Sequence, residues 1–299
     1  MIRSPGDVKQ TEPASPVFTW SQLLRSAQVG APAEVAPLDA ELLLAHALGR
    51  NRAGLYARLS DQVDAEVAAR FGDLWQRRCA GEPYAYLVGT REFHGRAFAV
   101  TPSVLIPRAD TEILLEAALQ RFPAGHSGVV VDAGTGSGAL AISLQLARPQ
   151  AMVCAVDYSP AALAVARANA LRLRAPVRFW RGDWLSALAD SSLDLLLANP
   201  PYLAADDPYL PGLLASGEPR LALVADDDGL ADLARIARAG CRVLRDGGWL
   251  LMEHGWTQGA AVRALLESLD YRDVATERDL GGHERVSGGR VDRSGGRAA

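Results

Sequence analysis

Positive charge is in short supply. Lys and Arg total 31 against 35 Asp and Glu in 299 residues, a formal charge of −4. A protein whose main business is coating nucleic acid needs a basic surface to neutralise phosphates, and this balance speaks against one. Only Lys9 is lysine. The remaining arginines fit a bias towards Arg, Ala and Gly along the whole chain better than an arginine-rich binding face. Cysteine is as scarce: Cys79, Cys154 and Cys241 lie far apart, with no Cys-x-x-Cys and no even count for a disulfide framework. The histidines (His46, His94, His126, His254, His283) are scattered and form no His-Glu-x-x-His, so no metal site is expected. No stretch approaches the roughly 20 apolar residues of a membrane span, and the first residues contain no apolar h-region. The expectation is a cytoplasmic protein without membrane contact.

What is present is ordinary globular material. Apolar types make up 49% and charged types 22%, enough to bury a core without staples, and the length is a prior for roughly two domains. Residues 1–17 are rich in Pro, Ser and charge and read as disordered. Residues 18–85 have helical periodicity. Thr19 can cap a first helix, Pro37 opens a second that Gly49 ends, and Asp64 to Cys79 makes another with Val67, Phe71, Leu74 and Trp75 on one face. Residues 86–105 read as a linking β-hairpin, with Phe93, Phe98 and Val100 around a His94-Gly95-Arg96 turn. Thr111 or Asp110 is expected to cap the next helix, which runs to Phe122.

Over residues 106–290 strands and helices alternate. The strands are nearly continuous apolar runs, which predicts a doubly wound α/β domain with a mostly parallel sheet covered on both faces. Ligands bind at the carboxyl ends of such strands. The stretch from Ser287 onward, glycine-rich and charged, reads as a frayed tail, with residues 291–299 disordered.

Two motifs fall at the carboxyl ends. The first is Asp132-Ala133-Gly134-Thr135-Gly136-Ser137-Gly138, between a strand and a helix, with Asp157 twenty-one residues after Gly136 at the end of the next strand. Glycines let the backbone turn tightly and approach a ligand, and an acidic side chain placed there holds ribose hydroxyls. Gly134-x-Gly136-x-x-Ala139 also fits a relaxed dinucleotide fingerprint. Asp132 favours a cationic sulfonium, S-adenosylmethionine, over a pyrophosphate. Asp183-Trp184 after the third strand offers a carboxylate for an adenine amino group and a ring for its face.

The second motif is Asn199-Pro200-Pro201-Tyr202, ending the fourth strand. Two prolines fix the backbone and remove two N–H donors. An amide or amino nitrogen bound here meets two acceptors, the Asn199 side-chain oxygen and the Pro200 carbonyl. Tyr202 offers a ring to stack on a planar group. Methylation of an sp² nitrogen needs these parts: the nitrogen must be aimed at the methyl group, and acceptors favour the positive charge that develops on it. A hydride-transfer enzyme would explain the glycines and leave this motif unexplained.

These motifs together resemble class I methyltransferases acting on planar nitrogens, whose fold has a seven-stranded sheet. Further segments narrow the likeness: Asp39-Ala-Glu-Leu-Leu-Leu, Gly81-Glu-Pro-Tyr-Ala-Tyr-Leu, Glu92-Phe-His-Gly, Leu105-Ile-Pro-Arg, Glu218-Pro-Arg-Leu-Ala-Leu, Glu253-His-Gly and Arg278-Asp-Leu-x-Gly-x-Glu-Arg-Val. From about residue 20 to 290 the chain resembles the release factor glutamine methyltransferases, the HemK/PrmC family. That resemblance implies transfer of a methyl group to the side-chain amide nitrogen of the glutamine in the Gly-Gly-Gln loop of class 1 peptide chain release factors, leaving S-adenosylhomocysteine. It implies that Gly134, Thr135, Gly136, Ser137, Gly138 and Asp157 hold the cofactor, with Asp183 and Trp184 at the adenine and Asn199 touching it. Asn199, Pro200, Pro201 and Tyr202 hold the glutamine amide, with Asn199, Pro200 and Tyr202 catalytic, and the helical domain helps grip the release factor. Ala133, Ala198 and Ala109 depart from the usual Leu, Ser and Pro; Ala109 leaves the loop before Asp110 less rigid. The rival readings are a ribosomal-protein glutamine methyltransferase, an adenine-N6 nucleic-acid methyltransferase and a cofactor-binding scaffold without activity. The acidic charge and the lack of a basic insert speak against direct nucleic-acid binding.

Overall fold

The computed structural model describes residues 19–293. The expected disordered segment 1–17, and residues 294–299 of the expected disordered tail 291–299, lie outside the described residues. The chain divides into two compact units, the first ending at Val88 and the second starting at Gly89.

The first unit is helical: α1 (Trp20–Gln28), α2 (Pro37–Ala47), α3 (Arg52–Tyr56), α4 (Ala65–Cys79) and α5 (Tyr84–Val88). Its helix starts are built from local chemistry. Thr19 and Gln22 form a reciprocal capping box on α1, and Asp64 accepts the Val67 N–H at 2.7 Å to start α4. Trp20, Leu24, Leu43, Leu44, Leu55, Phe71 and Leu74 bury a separate core. The Arg78–Asp39 pair at 2.8 Å ties α4 to α2. Helices α3 and α5 have five residues each, too short to display a period, and the sequence does not announce them.

The second unit begins with the hairpin β1 (Thr90–Phe93) and β2 (Arg96–Ala99), followed by α6 (Thr111–Arg121). The hairpin lies wholly within this unit instead of linking two bodies. Phe93 and Phe98 are buried in the same cluster as Leu114, Leu115 and Ile142. Asn169 stitches it down: its Oδ1 accepts the Ala99 N–H at 2.7 Å, and its Nδ2 donates to the Ala99 carbonyl at 3.0 Å and the Ser137 carbonyl at 2.9 Å. Asp110 does not cap α6. It is itself helical and makes no capping bond, and its carboxylate pairs with Arg285 at 3.1 Å.

Then come β3 (Val129–Ala133), α7 (Ala139–Ala147), β4 (Met152–Asp157), α8 (Pro160–Leu173), β5 (Arg178–Arg181), β6 (Leu193–Ala198), α9 (Leu210–Ala215), α10 (Ala231–Val243), β7 (Leu244–Glu253), α11 (Gly259–Ser268), β8 (Arg272–Arg278) and β9 (Glu284–Arg290). They form a seven-stranded sheet in the order β5-β4-β3-β6-β7-β9-β8, with β9 antiparallel to its neighbours. From β3 the chain runs outward through β4 and β5, then returns to β6 on the other side. The crevice at that reversal is where doubly wound sheets bind ligands.

The reading of Ser287 onward as a frayed tail does not hold. Ser287, Gly288 and Gly289 are buried in β9, and Val291 is buried beyond it. The two glycines are there for closeness. A Cβ on Gly288 would sit 2.5 Å from the Leu250 carbonyl oxygen and 2.4 Å from Leu251 Cδ2. Glycine in this strand marks tight packing against β7 and not a loss of order.

Candidate active site

Strand register places the functional residues in a row. Ala133 pairs with Val156 on one side and Ala198 on the other, and Ala198 pairs with Met252. The next residue on each strand therefore stands at the carboxyl edge: Asp157 on β4, Gly134 after β3, Asn199 after β6, Glu253 on β7. Ala133 and Ala198 are both fully buried between these ends.

A cavity of about 390 Å³ opens above this row, within the ordinary range for a small-ligand site. Its wall includes Asp132, Gly134, Thr135, Gly136, Ser137, Asp157, Asp183, Trp184, Asn199 and Pro201. Gly138 is absent from that wall; it opens α7 from a left-handed conformation. Pro200 and Tyr202 are absent too. Pro200 is buried, and Tyr202 packs against the neighbouring core with its hydroxyl 3.5 Å from Glu253 Oε1, the outer limit of a hydrogen bond. The Tyr202 ring, expected as a stacking surface, is thus not part of the cavity wall.

The glycine end is built largely from backbone. Gly134, Gly136 and Gly138 take φ of +79°, +53° and +80°. A Cβ on Gly134 would lie 2.9 Å from Trp184 Cζ3, so the indole rests directly on the turn. Trp184 itself has φ +49° and donates from Nε1 to Asp232 Oδ1 at 3.1 Å; a bulky residue in that region is strained, and such strain gathers at functional sites. Asp157 is engaged on both oxygens, accepting the Gly136 N–H and the Ser159 N–H, each at 2.9 Å. A carboxylate has about four lone-pair sites, so room remains for hydroxyl donors. Burial, opposed by these bonds, pushes its pKa up. Asp183 lines the wall, yet Arg235 holds its carboxylate at 2.9 Å. That pair is about half exposed, where ion pairs are weak and exchangeable. Asp232 and Arg235 also line the wall; no sequence motif flagged them.

Asp132 is 2% exposed. Its Oδ2 accepts the Thr135 hydroxyl at 2.6 Å, and burial lifts its pKa to about 7. A buried carboxyl with that pKa welcomes a nearby cation. Backbone that admits close approach, a buried acid and a free acceptor face on Asp157 suit a ribosyl sulfonium of the kind expected from the sequence. Among the described residues there is no cluster of three or more His, Cys, Asp or Glu able to hold a metal, and no helix long and apolar enough to cross a membrane.

The other end is built from side chains. Asn199 Nδ2 donates to Thr111 Oγ1 at 3.1 Å, while Asn199 Oδ1 is buried without a hydrogen-bond partner. Such an orphan costs about 1–3 kcal/mol, which calls for an explanation. Thr111, the first residue of α6, and Glu253, at the end of β7, were not singled out by the sequence as site residues. The register of β6 against β7 is the signal that would have found Glu253. The loop segment with Arg108 is held by an ion pair: Arg108 donates to Glu218 Oε1 at 2.5 Å, and buried Glu218 also accepts the Ile106 N–H at 3.4 Å. Two of the short sequence segments, 110 residues apart, thereby meet.

Residues 19–89 match a family model described as PrmC N-terminal domain, and residues 109–209 one described as Methyltransferase small domain. The chain is similar to the release factor glutamine methyltransferase of Bordetella pertussis, 51% identical over 84% of this chain and 94% of that one. It is 46% identical to that of Burkholderia pseudomallei over 91% and 96% of the two chains, and 43% identical to that of Escherichia coli over 84% and 91%. Among solved structures, a methyltransferase from Pyrococcus furiosus aligns at TM-score 0.51 and 16% identity, covering 67% of this chain and 91% of that one. The T. thermophilus 16S rRNA N2 G1207 methyltransferase aligns at 0.50 and 18%, covering 68% and 49%. These two likenesses support the fold.

Proposed function

The chain belongs to the release factor glutamine methyltransferases, and on that premise we propose that its cavity moves a methyl group from S-adenosylmethionine to the side-chain amide nitrogen of a glutamine, the one in the Gly-Gly-Gln motif of class 1 peptide chain release factors. One observation carries the reading: the buried, unpartnered Oδ1 of Asn199 at the strand end beside the glycine turn. S-adenosylmethionine, when bound, supplies a methyl group on a sulfonium that is already electrophilic.

The chain's own residues do the rest. The backbone of Gly134 to Gly138, with Thr135 and Ser137, gives the donor its seat, Asp157 accepts from ribose hydroxyls, and Trp184 covers the adenine beside Asp183. Asp132 supplies negative charge towards the cation. At the other end, Asn199 Oδ1 and the Pro200 carbonyl accept the two N–H bonds of the glutamine amide. With both hydrogens held, the amide plane is fixed and its nitrogen can be aimed along the methyl–sulfur axis. The same acceptors favour the positive charge growing on nitrogen. The methylated nitrogen then sheds its proton readily, so the scheme calls for neither a strong base nor a metal. Pro201 forms the wall beside Asn199, and the Tyr202 ring packs against the core.

The helical unit holds none of these groups, and we assign it to gripping the release factor. The enzyme works in the cytoplasm, where release factors act, and needs no contact with nucleic acid or membrane. Mass spectrometry of a purified release factor, incubated with the enzyme and the methyl donor, tests the reading. One methyl group gained on the Gly-Gly-Gln peptide is the expected result. Methylation of a ribosomal protein with the release factor untouched would reassign the substrate.

A further inference from the structure

We propose that Thr111 and Glu253 form a positioning relay that keeps the Asn199 amide turned with its oxygen towards the acceptor side of the cavity. The inference rests on the reading of Asn199 as an acceptor and adds to it the cause of that orientation.

A side-chain amide has a donor end and an acceptor end of nearly equal shape, and sterics alone do not choose between them. Only one orientation works. If the amide turned over, Nδ2 would face the substrate N–H, two donors would meet, and the transition-state charge would be opposed. In the structure Nδ2 donates to Thr111 Oγ1 at 3.1 Å and Oδ1 is left free. Thr111 can enforce this because its hydroxyl has a single hydrogen. Spent on another acceptor, that hydrogen leaves Oγ1 able only to accept from Asn199. Turned towards Asn199, it would select the wrong end of the amide.

Glu253 is the acceptor placed to take the hydrogen. It is 1% exposed, ends β7 and stands one residue past Met252, the register partner of Ala198. Its Oε2 is buried with no hydrogen-bond partner. Thr111 and Glu253 both stand beside Asn199, Thr111 through its 3.1 Å bond and Glu253 through the register of β6 on β7, and Thr111 draws the carboxyl's pKa down against the rise that burial imposes. The other groups facing this carboxylate are Asp110 just before α6, which raises its pKa, and Arg285 on β9 and the Tyr202 hydroxyl, which lower it. The balance leaves it at about 7. Ionised, Glu253 accepts from Thr111 and the relay runs from substrate N–H to Asn199 to Thr111 to carboxylate. Protonated, it becomes a donor, and Thr111 is free to turn towards Asn199. The acidic limb of kcat is therefore predicted to belong to Glu253.

The test compares four variants by kcat and KM on an intact release factor, with methyl-donor affinity from calorimetry and folding from thermal melts. Thr111→Val removes the hydroxyl at nearly constant shape. It is expected to lower kcat about tenfold or more, with donor affinity and KM within about twofold. Thr111→Ser is expected to recover most of that loss. Glu253→Gln is expected to flatten the fall of kcat between pH 8 and 6 that the wild type shows. Asn199→Ala separates the two claims. If it keeps its kcat, the acceptor reading itself fails and the relay with it. If it is nearly inactive while Thr111→Val turns over within twofold of wild type, the relay alone is overturned. Should Thr111→Val not fold, Thr111→Ser and Glu253→Gln decide: an unaltered acidic limb in Glu253→Gln refutes the relay.

Discussion

The two ends of the cavity are made in different ways. The glycine end is one contiguous turn plus the tips of two adjacent strands, and its polar groups already satisfy one another: Thr135 with Asp132, Gly136 and Ser159 with Asp157, Arg235 with Asp183. The acceptor end takes Thr111, Asn199 and Glu253 from three distant parts of the chain and leaves two buried oxygens, Asn199 Oδ1 and Glu253 Oε2, without partners. A binding surface for a ligand held through every turnover can be pre-satisfied. A site that must reward a transition state keeps an acceptor in reserve, because an interaction already spent in the ground state lowers no barrier.

If that contrast is right, the two ends fail differently. The largest effect is expected at the reserve acceptor. Asn199→Ala should lower kcat by about 10²–10³, by analogy with loss of one preorganised transition-state hydrogen bond, and should leave donor affinity within a few fold. Asn199→Asp keeps an acceptor and should retain more activity than Ala. Equal inactivity of the two, with normal donor binding, would mean that simple acceptance is not the role of Asn199.

The opposite pattern is expected at the glycine end. Asp157→Ala removes the anchor of the Gly136 and Ser159 N–H groups together with the ribose acceptor. Loss of hydrogen bonds to a charged group costs about 1.5–3 kcal/mol, or roughly 10–150-fold in dissociation constant. Calorimetry should show that weakening, while kcat at saturating donor stays within a few fold. Gly134→Ala should act in the same direction by about tenfold. Alanine at φ +79° is strained by roughly 1–2 kcal/mol, and its Cβ would displace the Trp184 ring 2.9 Å away. A Gly134→Ala protein with unchanged donor affinity would remove the indole from the cofactor seat.

The same contrast explains what the sequence disclosed. Gly134 to Gly138 with Asp157, and Asn199 to Tyr202, are short-range patterns at predicted strand ends, and the parallel strands of the sheet were legible as apolar runs, whereas the polar, glycine-bearing β9 was not. Thr111 was visible only as a possible helix cap and Glu253 only within a short segment of family likeness, since their use depends on β6 lying beside β7. Ser287 to Gly289 misled for a related reason: glycine reads as looseness until the neighbouring strand is known to press against it. Tyr202 was placed on the substrate because the motif was read as a unit; in the structure Asn199 lines the cavity while Tyr202 packs against the core.

The smallest effect belongs to the most deeply buried acid of the glycine end, Asp132. Asp132 has a pKa near 7 because burial opposes its charge and Asp157 adds to the cost, while Thr135 only partly compensates. A bound cation reverses the balance and pulls the pKa down, so binding below pH 7 must expel a proton. Linkage then gives the sign: donor affinity is full above pH 8 and falls as pH drops through 7. With a free-state pKa of about 7 and a much lower one in the complex, the dissociation constant should rise about tenfold from pH 8 to pH 6. Calorimetry in buffers of different ionisation heat should detect the released proton directly. Asp132→Asn should bind more weakly at pH 8 and lose the pH dependence. A wild-type affinity that does not change between pH 8 and 6 would place the positive charge away from Asp132 and leave the carboxyl a neutral hydrogen-bonding partner of Thr135.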